Sequence, residues 1–127
     1  VDAVTVAGKI ALPPEQCFKT LVTCGADHNH YVFVIPGSTE PNLKKAARAA
    51  NCKSMRLIPL KELLPLTGYI HGGCSPIGMK KELPTFIDET AILYETVGVS
   101  GGRVGLTITL APEQLAGMVG AEFADLT

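Results

Sequence analysis

The chain has 127 residues, a formal net charge of −1, 46% apolar residues and 18% charged ones. These totals exclude a disordered or low-complexity chain and fit one domain that can bury a core without staples. No apolar run approaches the ~18 residues of a membrane span, and the first ten residues lack the charged-then-apolar order of a secretory signal, so a cytoplasmic protein with no membrane partner is expected.

Residues 2–10 read as a short helix with Asp2 as its N-cap. Leu12-Pro13-Pro14-Glu15 breaks it. Residues 17–24, rich in β-branched and aromatic side chains, read as a strand. The polar turn Asp27-His28-Asn29-His30 leads to a second strand, Tyr31 to Ile35, and the two form a hairpin. Pro41-Asn42 opens a helix to about Asn51, with Leu43, Ala46, Ala47 and Ala50 as its apolar stripe. Met55 to Ile58 is a short strand, and Leu60 to Leu64 a short helix stopped by Pro65. Residues 68–81 hold four glycines and a proline and must form a shaped loop. Thr85 to Asp88 is a strand. Glu95–Val99 and Val104–Leu110 flank the hairpin signal Ser100-Gly101-Gly102-Arg103. Pro112 opens a last helix, and Phe123-Ala124 adds a final strand. Strands and helices mix without a βαβ rhythm, so an α+β layout around a strongly bent, barrel-like mixed sheet is expected rather than a Rossmann fold.

Charge is unevenly distributed. Between Lys44 and Lys81 stand Lys44, Lys45, Arg48, Lys53, Arg56, Lys61, Lys80 and Lys81 against one acid, Glu62. Such a run fits either a solvated helix surface or a basic face for nucleic acid.

Motif by motif, most catalytic chemistries fail. Gly73 and Gly78 have P-loop spacing, but Met79 precedes Lys80 and no hydroxyl residue follows, so the Walker pattern is absent. His71 and Cys74 lie three apart in a loop, a spacing unlike any nucleophile–base pair. Asp27, His28 and His30 lack a further partner for a metal and read as a solvated turn. Cys17, Cys24, Cys52 and Cys74 form no C-x-x-C pair and read as small core residues. No cofactor and no metal are expected. Lys19, between Phe18 and Thr20 in an apolar strand, is either an exposed strand lysine or a cavity cation able to meet an oxyanion, phosphate or ribose hydroxyl.

Five segments together resemble a known family: PEQCFKTLV (14–22), LKKAA (43–47), GYIHGGCSPIGMKK (68–81), PTFIDETA (84–91) and VSGGRVGL (99–106). They are similar to the YbaK/EbsC proteins, deacylases of Cys-tRNA(Pro) and Cys-tRNA(Cys) related to the editing domain of bacterial prolyl-tRNA synthetases. The resemblance runs from about Val4 to Asp125. It implies a single editing domain over residues 1–127 that starts after an N-terminal strand of the family, whose tyrosine helps close the pocket. It makes Lys19 the functional lysine and Thr20 its neighbour. Gly72, Gly73, Cys74, Ser75, Pro76 and Gly78 become the loop that walls the aminoacyl group and the terminal adenosine, with Cys74 at a variable position. Lys44, Lys45, Arg48, Lys80 and Lys81 become the surface for acceptor-stem phosphates. Thr107 stands where the family often has an acid. The implied partners are the acceptor end of tRNA and prolyl-tRNA synthetase, and the implied state is a monomer. The implied mechanism lets the substrate's own thiol attack the ester. Deacylation of another small amino acid such as Ala-tRNA(Pro), non-catalytic tRNA or nucleotide binding, and a regulatory role are the other readings open at this point.

Overall fold

A computed structural model describes residues 12–127 and the backbone of Thr5 and Val6. Strand β1 (Thr5–Val6) pairs antiparallel with a later strand, so these two residues are extended rather than helical; Asp2 and the rest of the helix expected over 2–10 lie outside the described residues. A 3₁₀ turn at Pro14–Gln16 leads into β2 (Phe18–Gly25), which forms a hairpin with β3 (His30–Pro36). Helix α1 is Leu43–Ala49, β4 Met55–Leu57, α2 Leu60–Thr67 and β5 Thr85–Asp88. After a 3₁₀ turn at Glu89–Leu93 come β6 (Val97–Ser100), β7 (Thr107–Leu110), α3 (Pro112–Val119) and β8 (Glu122–Ala124).

The strands form two sheets. One is mixed, in the order β4-β2-β3-β5-β8, and the other antiparallel, in the order β1-β7-β6. A parallel bridge between Cys17 and Gly98 joins them at the start of β2. The mixed α+β layout is therefore as expected, drawn as two joined sheets.

β3 explains the layering. Its run Tyr31-Val32-Phe33-Val34-Ile35 is apolar at every position, and a strand apolar on both faces needs cover on both. Val32 and Val34 enter one core with Phe18, Val22, Leu63, Val99 and Leu115. Tyr31, Phe33 and Ile35 enter the other, covered by Ala46 and Ala47 of α1. Phe33 stacks on Phe86 of β5 with ring centroids 5.5 Å apart.

Two ends of helices repay attention. The Asn42 side chain accepts from the Lys45 N–H at 3.1 Å and caps α1. In α2 the expected stop at Pro65 does not occur. The missing proline N–H costs one bond, but the Thr67 hydroxyl donates to the Leu63 carbonyl and the Gly68 N–H bonds the Leu64 carbonyl. Gly68, at φ 85°, is the actual terminator. The late hairpin also differs from expectation. Its connection runs from Gly101 to Leu106, closed by Gly101 N–H to the Leu106 carbonyl, so β7 starts at Thr107 rather than Val104.

At the first hairpin turn, the Asp27 carboxylate accepts from the Tyr31 hydroxyl and the Asn29 N–H. These bonds, the tyrosine's first, hold its pKa below the usual carboxylate range. A carboxyl with a depressed folded pKa stabilises above its unfolded pKa, and the gain is lost as pH falls through the folded one. The stability deficit of Tyr31→Phe should accordingly be largest near neutral pH and shrink below about pH 4. Urea melts at pH 7 and pH 3 check this; a deficit that is the same at both contradicts it.

Candidate active site

β4 pairs with β2 only from Thr23 to Gly25, so the first half of β2 keeps an open edge. A cavity of about 300 Å³ lies there. The strand's alternation turns Phe18 and Thr20 to one face and Lys19 and Leu21 to the other. All four border the cavity nonetheless, because it meets the strand at its edge. The lining also includes His71, Gly72 and Cys74 of the glycine loop and Leu63 of α2. β6, β7 and their connection complete it with Gly98, Ser100, Gly105, Leu106 and Thr107.

Lys19 is half-buried, and no carboxylate pairs with it among the described residues. The Thr20 hydroxyl oxygen is buried without a hydrogen-bond partner among the described residues, which is uncommon and leaves it open to a ligand group or an ordered water. Burial pushes the Cys74 thiol up to about 11. Burial, and then Glu15, raise Cys17. Neither thiol bordering the cavity is therefore an activated thiolate.

Of the residues expected in the site, Lys19, Thr20, Gly72 and Cys74 come together around the cavity. Gly73 stands behind it and holds two loops in register. A Cβ on Gly73 would lie 2.9 Å from the Arg103 Cα and 3.1 Å from the Val104 N. Since both obstacles are backbone, Gly73→Ala must push the β6–β7 connection outward. We expect a cost of about 1–3 kcal/mol and a roughly tenfold loss of activity, as positioning depends on sub-ångström fit. Thermal melting and kcat/KM check this, and an unchanged Tm contradicts it.

Ser75, Pro76 and Gly78 do not border the cavity. Ser75 is buried, and its hydroxyl oxygen accepts from the Ile77 N–H at 3.1 Å, closing a local turn. The Tyr69 hydroxyl donates to the Ile77 carbonyl and bends the chain away. Pro76 and Gly78 consequently line a separate cleft with Met79, Lys81 and Met118.

The basic residues divide as well. Lys44, Lys45 and Arg48 ride on α1, which covers the sheet face opposite Phe18, Leu63 and Cys74. Lys45 is engaged by Asp125 at 3.0 Å and by the Thr127 carbonyl at 3.1 Å. Lys80 and Lys81 are exposed at the end of the glycine loop. Ser100, read from sequence as the start of a hairpin turn, and Gly105 and Leu106, read as part of the strand that follows it, are cavity walls that sequence reasoning misses. The glycines at 101, 102 and 105 were the available signal, since a tight two-residue turn needs fewer.

A family model, the aminoacyl-tRNA editing domain, matches residues 1–118. The chain belongs to the aminoacyl-tRNA editing domain family. This editing domain is 44% identical, over all 127 of its residues, to a protein of Enterococcus faecalis (strain ATCC 700802 / V583) provisionally named Cys-tRNA(Pro)/Cys-tRNA(Cys) deacylase EbsC, and spans 77% of that protein. It also resembles a solved structure of a candidate trans-editing enzyme for prolyl-tRNA synthetase: TM-score 0.86, 30% identity, covering 95% of this chain and 76% of that one. A solved hypothetical protein matches with TM-score 0.84 and 27% identity, over 94% of this chain and 79% of the other. The α+β architecture is thus that of the editing fold.

Proposed function

We propose that this editing domain is a trans-acting ester hydrolase that removes cysteine from mischarged Cys-tRNA(Pro), with Cys-tRNA(Cys) as a second substrate. The observation that carries this is the 44% identity, across the whole chain, to a protein bearing that name. The cavity that Lys19 and Thr20 line together with residues of the glycine loop supports it. Its volume suits an aminoacyl group and is at the small end for ligand sites. The protein works in the cytoplasm as a monomer. Prolyl-tRNA synthetase, the source of the mischarged tRNA, is its partner. No helix among the described residues is long and apolar enough to cross a membrane.

The chemistry follows from what the cavity offers. With the Cys74 pKa at about 11, roughly 10⁻⁴ of it is thiolate at pH 7. The substrate's own thiol is the better nucleophile. Its sulfur attacks the ester carbonyl, the S–C bond forms and the C–O bond to the ribose breaks. The thiol proton goes to the departing ribose oxygen, and water later opens the resulting thiolactone. The protein holds the ester in a bent conformation and offsets charge on the carbonyl oxygen with the Lys19 ammonium. Such a site separates cysteine from alanine by chemistry, because one small group of size difference is worth only ~1–3 kcal/mol. S-methylcysteinyl-tRNA(Pro), with its sulfur blocked, should therefore be cleaved at least about 100-fold more slowly. Cleavage at the parent rate would mean an external nucleophile.

Phosphate contacts are assigned to Lys80 and Lys81, which are exposed at the end of the loop whose earlier residues line the cavity. Replacing both by alanine should raise KM and reduce the slope of log binding against log salt by about one per lost contact. The pair Lys44 and Arg48, across the sheet, should matter less. A larger effect of the Lys44 and Arg48 pair would place the RNA around α1 instead.

A further inference from the structure

We propose that the unpaired edge of β2 at Thr20–Val22 binds the free α-ammonium and the ester carbonyl of the aminoacyl group as though they were one residue of an added strand. This rests on the deacylase reading above and goes further, since it says which esters the site accepts.

The hairpin register decides which backbone groups face the edge. The Gly37 N–H bonds the Cys17 carbonyl, and the Gly25 N–H bonds the Asn29 carbonyl. In β2 the odd-numbered residues therefore exchange hydrogen bonds with β3, Lys19 with Ile35 and Leu21 with Phe33. The even-numbered ones, Phe18, Thr20, Val22 and Cys24, turn their N–H and C=O to the other edge. There Cys24 meets Arg56 of β4. The Val22 carbonyl is taken by the Ile58 N–H at 3.2 Å. The Cys17–Gly98 bridge closes the opposite end. Between these closures the Thr20 N–H, the Thr20 carbonyl and the Val22 N–H meet no neighbouring strand among the described residues.

The same stretch borders the main cavity and a second cleft of about 140 Å³ beside Ile58 and Leu60; Thr20 and Leu63 border both. The Thr20 hydroxyl, also unpartnered, stands on this stretch. Half-buried backbone groups left without partners beside a cavity are sites for ligand hydrogen bonds. Their order along the edge is donor, acceptor, donor. An aminoacyl ester carries a donor, its ammonium, one carbon away from an acceptor, its carbonyl. That is the spacing of a single strand residue, which is how extended chains add to sheet edges. The Thr20 carbonyl accepts from the ammonium, and the Thr20 or Val22 N–H donates to the ester carbonyl, beside Lys19.

The consequence is a filter. An ester whose nitrogen is acylated, as in peptidyl-tRNA, keeps one N–H for the Thr20 carbonyl but loses the charge that strengthens this bond. The site would then prefer free aminoacyl esters over chains under synthesis.

The test uses two stable analogues: cysteine joined by an amide to 3′-amino-3′-deoxyadenosine, and the same compound made from 3-mercaptopropionic acid, which lacks the α-amine. Each is titrated into ¹⁵N-labelled protein. The proposal expects the Thr20 and Val22 amides to shift most on binding the cysteine compound. It expects the desamino compound to bind at least about tenfold more weakly, the loss of one charge-assisted hydrogen bond. Thr20 and Val22 amides that do not move, or equal affinities, overturn it. Because the readout is binding, that outcome is distinct from a failure of ester hydrolysis, which is measured separately on Cys-tRNA(Pro).

Discussion

Lys19→Ala is expected to lower kcat/KM for Cys-tRNA(Pro) roughly 10²- to 10³-fold, the usual cost of removing one group that stabilises developing charge. Lys19 borders the cavity and, among the described residues, has no carboxylate to satisfy its ammonium. Such a cation is available to an oxyanion and is not spent on the fold. Stability should change by less than about 0.5 kcal/mol, because a half-exposed lysine without an ion pair contributes little. Lys19→Arg should recover only part of the activity, because the guanidinium is larger and planar. Single-turnover deacylation with matched thermal melts separates the two quantities. Full turnover by Lys19→Ala would remove Lys19 from the chemistry.

Asp88→Ala should cost about 3 kcal/mol of stability, the largest effect expected outside the site. Asp88 is fully buried at the end of β5. Its carboxyl group accepts from the Thr90 N–H and hydroxyl, capping the 3₁₀ turn that follows. It also accepts from the Leu126 N–H at 2.9 Å and from the Thr127 hydroxyl at 3.4 Å. One side chain thus ties β5, the next turn and the C-terminal residues together. Leu126 is itself 1% exposed in the core beneath α1. Truncation to alanine leaves buried donors unpaired, which costs more than the bonds are worth on their own. Urea denaturation gives the number directly. A loss below about 1 kcal/mol would mean that water or a shifted backbone replaces the carboxyl group.

Much of this fold is legible in the sequence where local rules act. The β2–β3 hairpin shows in its β-branched run and polar turn, α1 in its Asn42 cap and alanine stripe, and β5 and β8 at nearly their observed bounds. The failures are non-local. Thr5–Val6 is extended because it pairs with Thr109 and Ile108, about a hundred residues away. α2 outlasts Pro65 because the Thr67 hydroxyl and Gly68 supply its end. Lys19, Thr20, Gly72 and Cys74, which line one cavity, are singled out in the sequence by the family resemblance and not by their spacing. Pro76 and Gly78 could not be sorted from them, because a hydrogen bond from Tyr69 turns the loop. Nor could the basic run be resolved into two faces, since the mixed sheet stands between α1 and the cavity.

Loss of the ester bond from Cys-tRNA(Pro), followed against the spontaneous rate and with Ala-tRNA(Pro) in parallel, tests the central claim most directly. The account predicts rapid loss of the cysteinyl ester and slow loss of the alanyl one. Cysteinyl ester that decays no faster with the protein than without it would contradict the account.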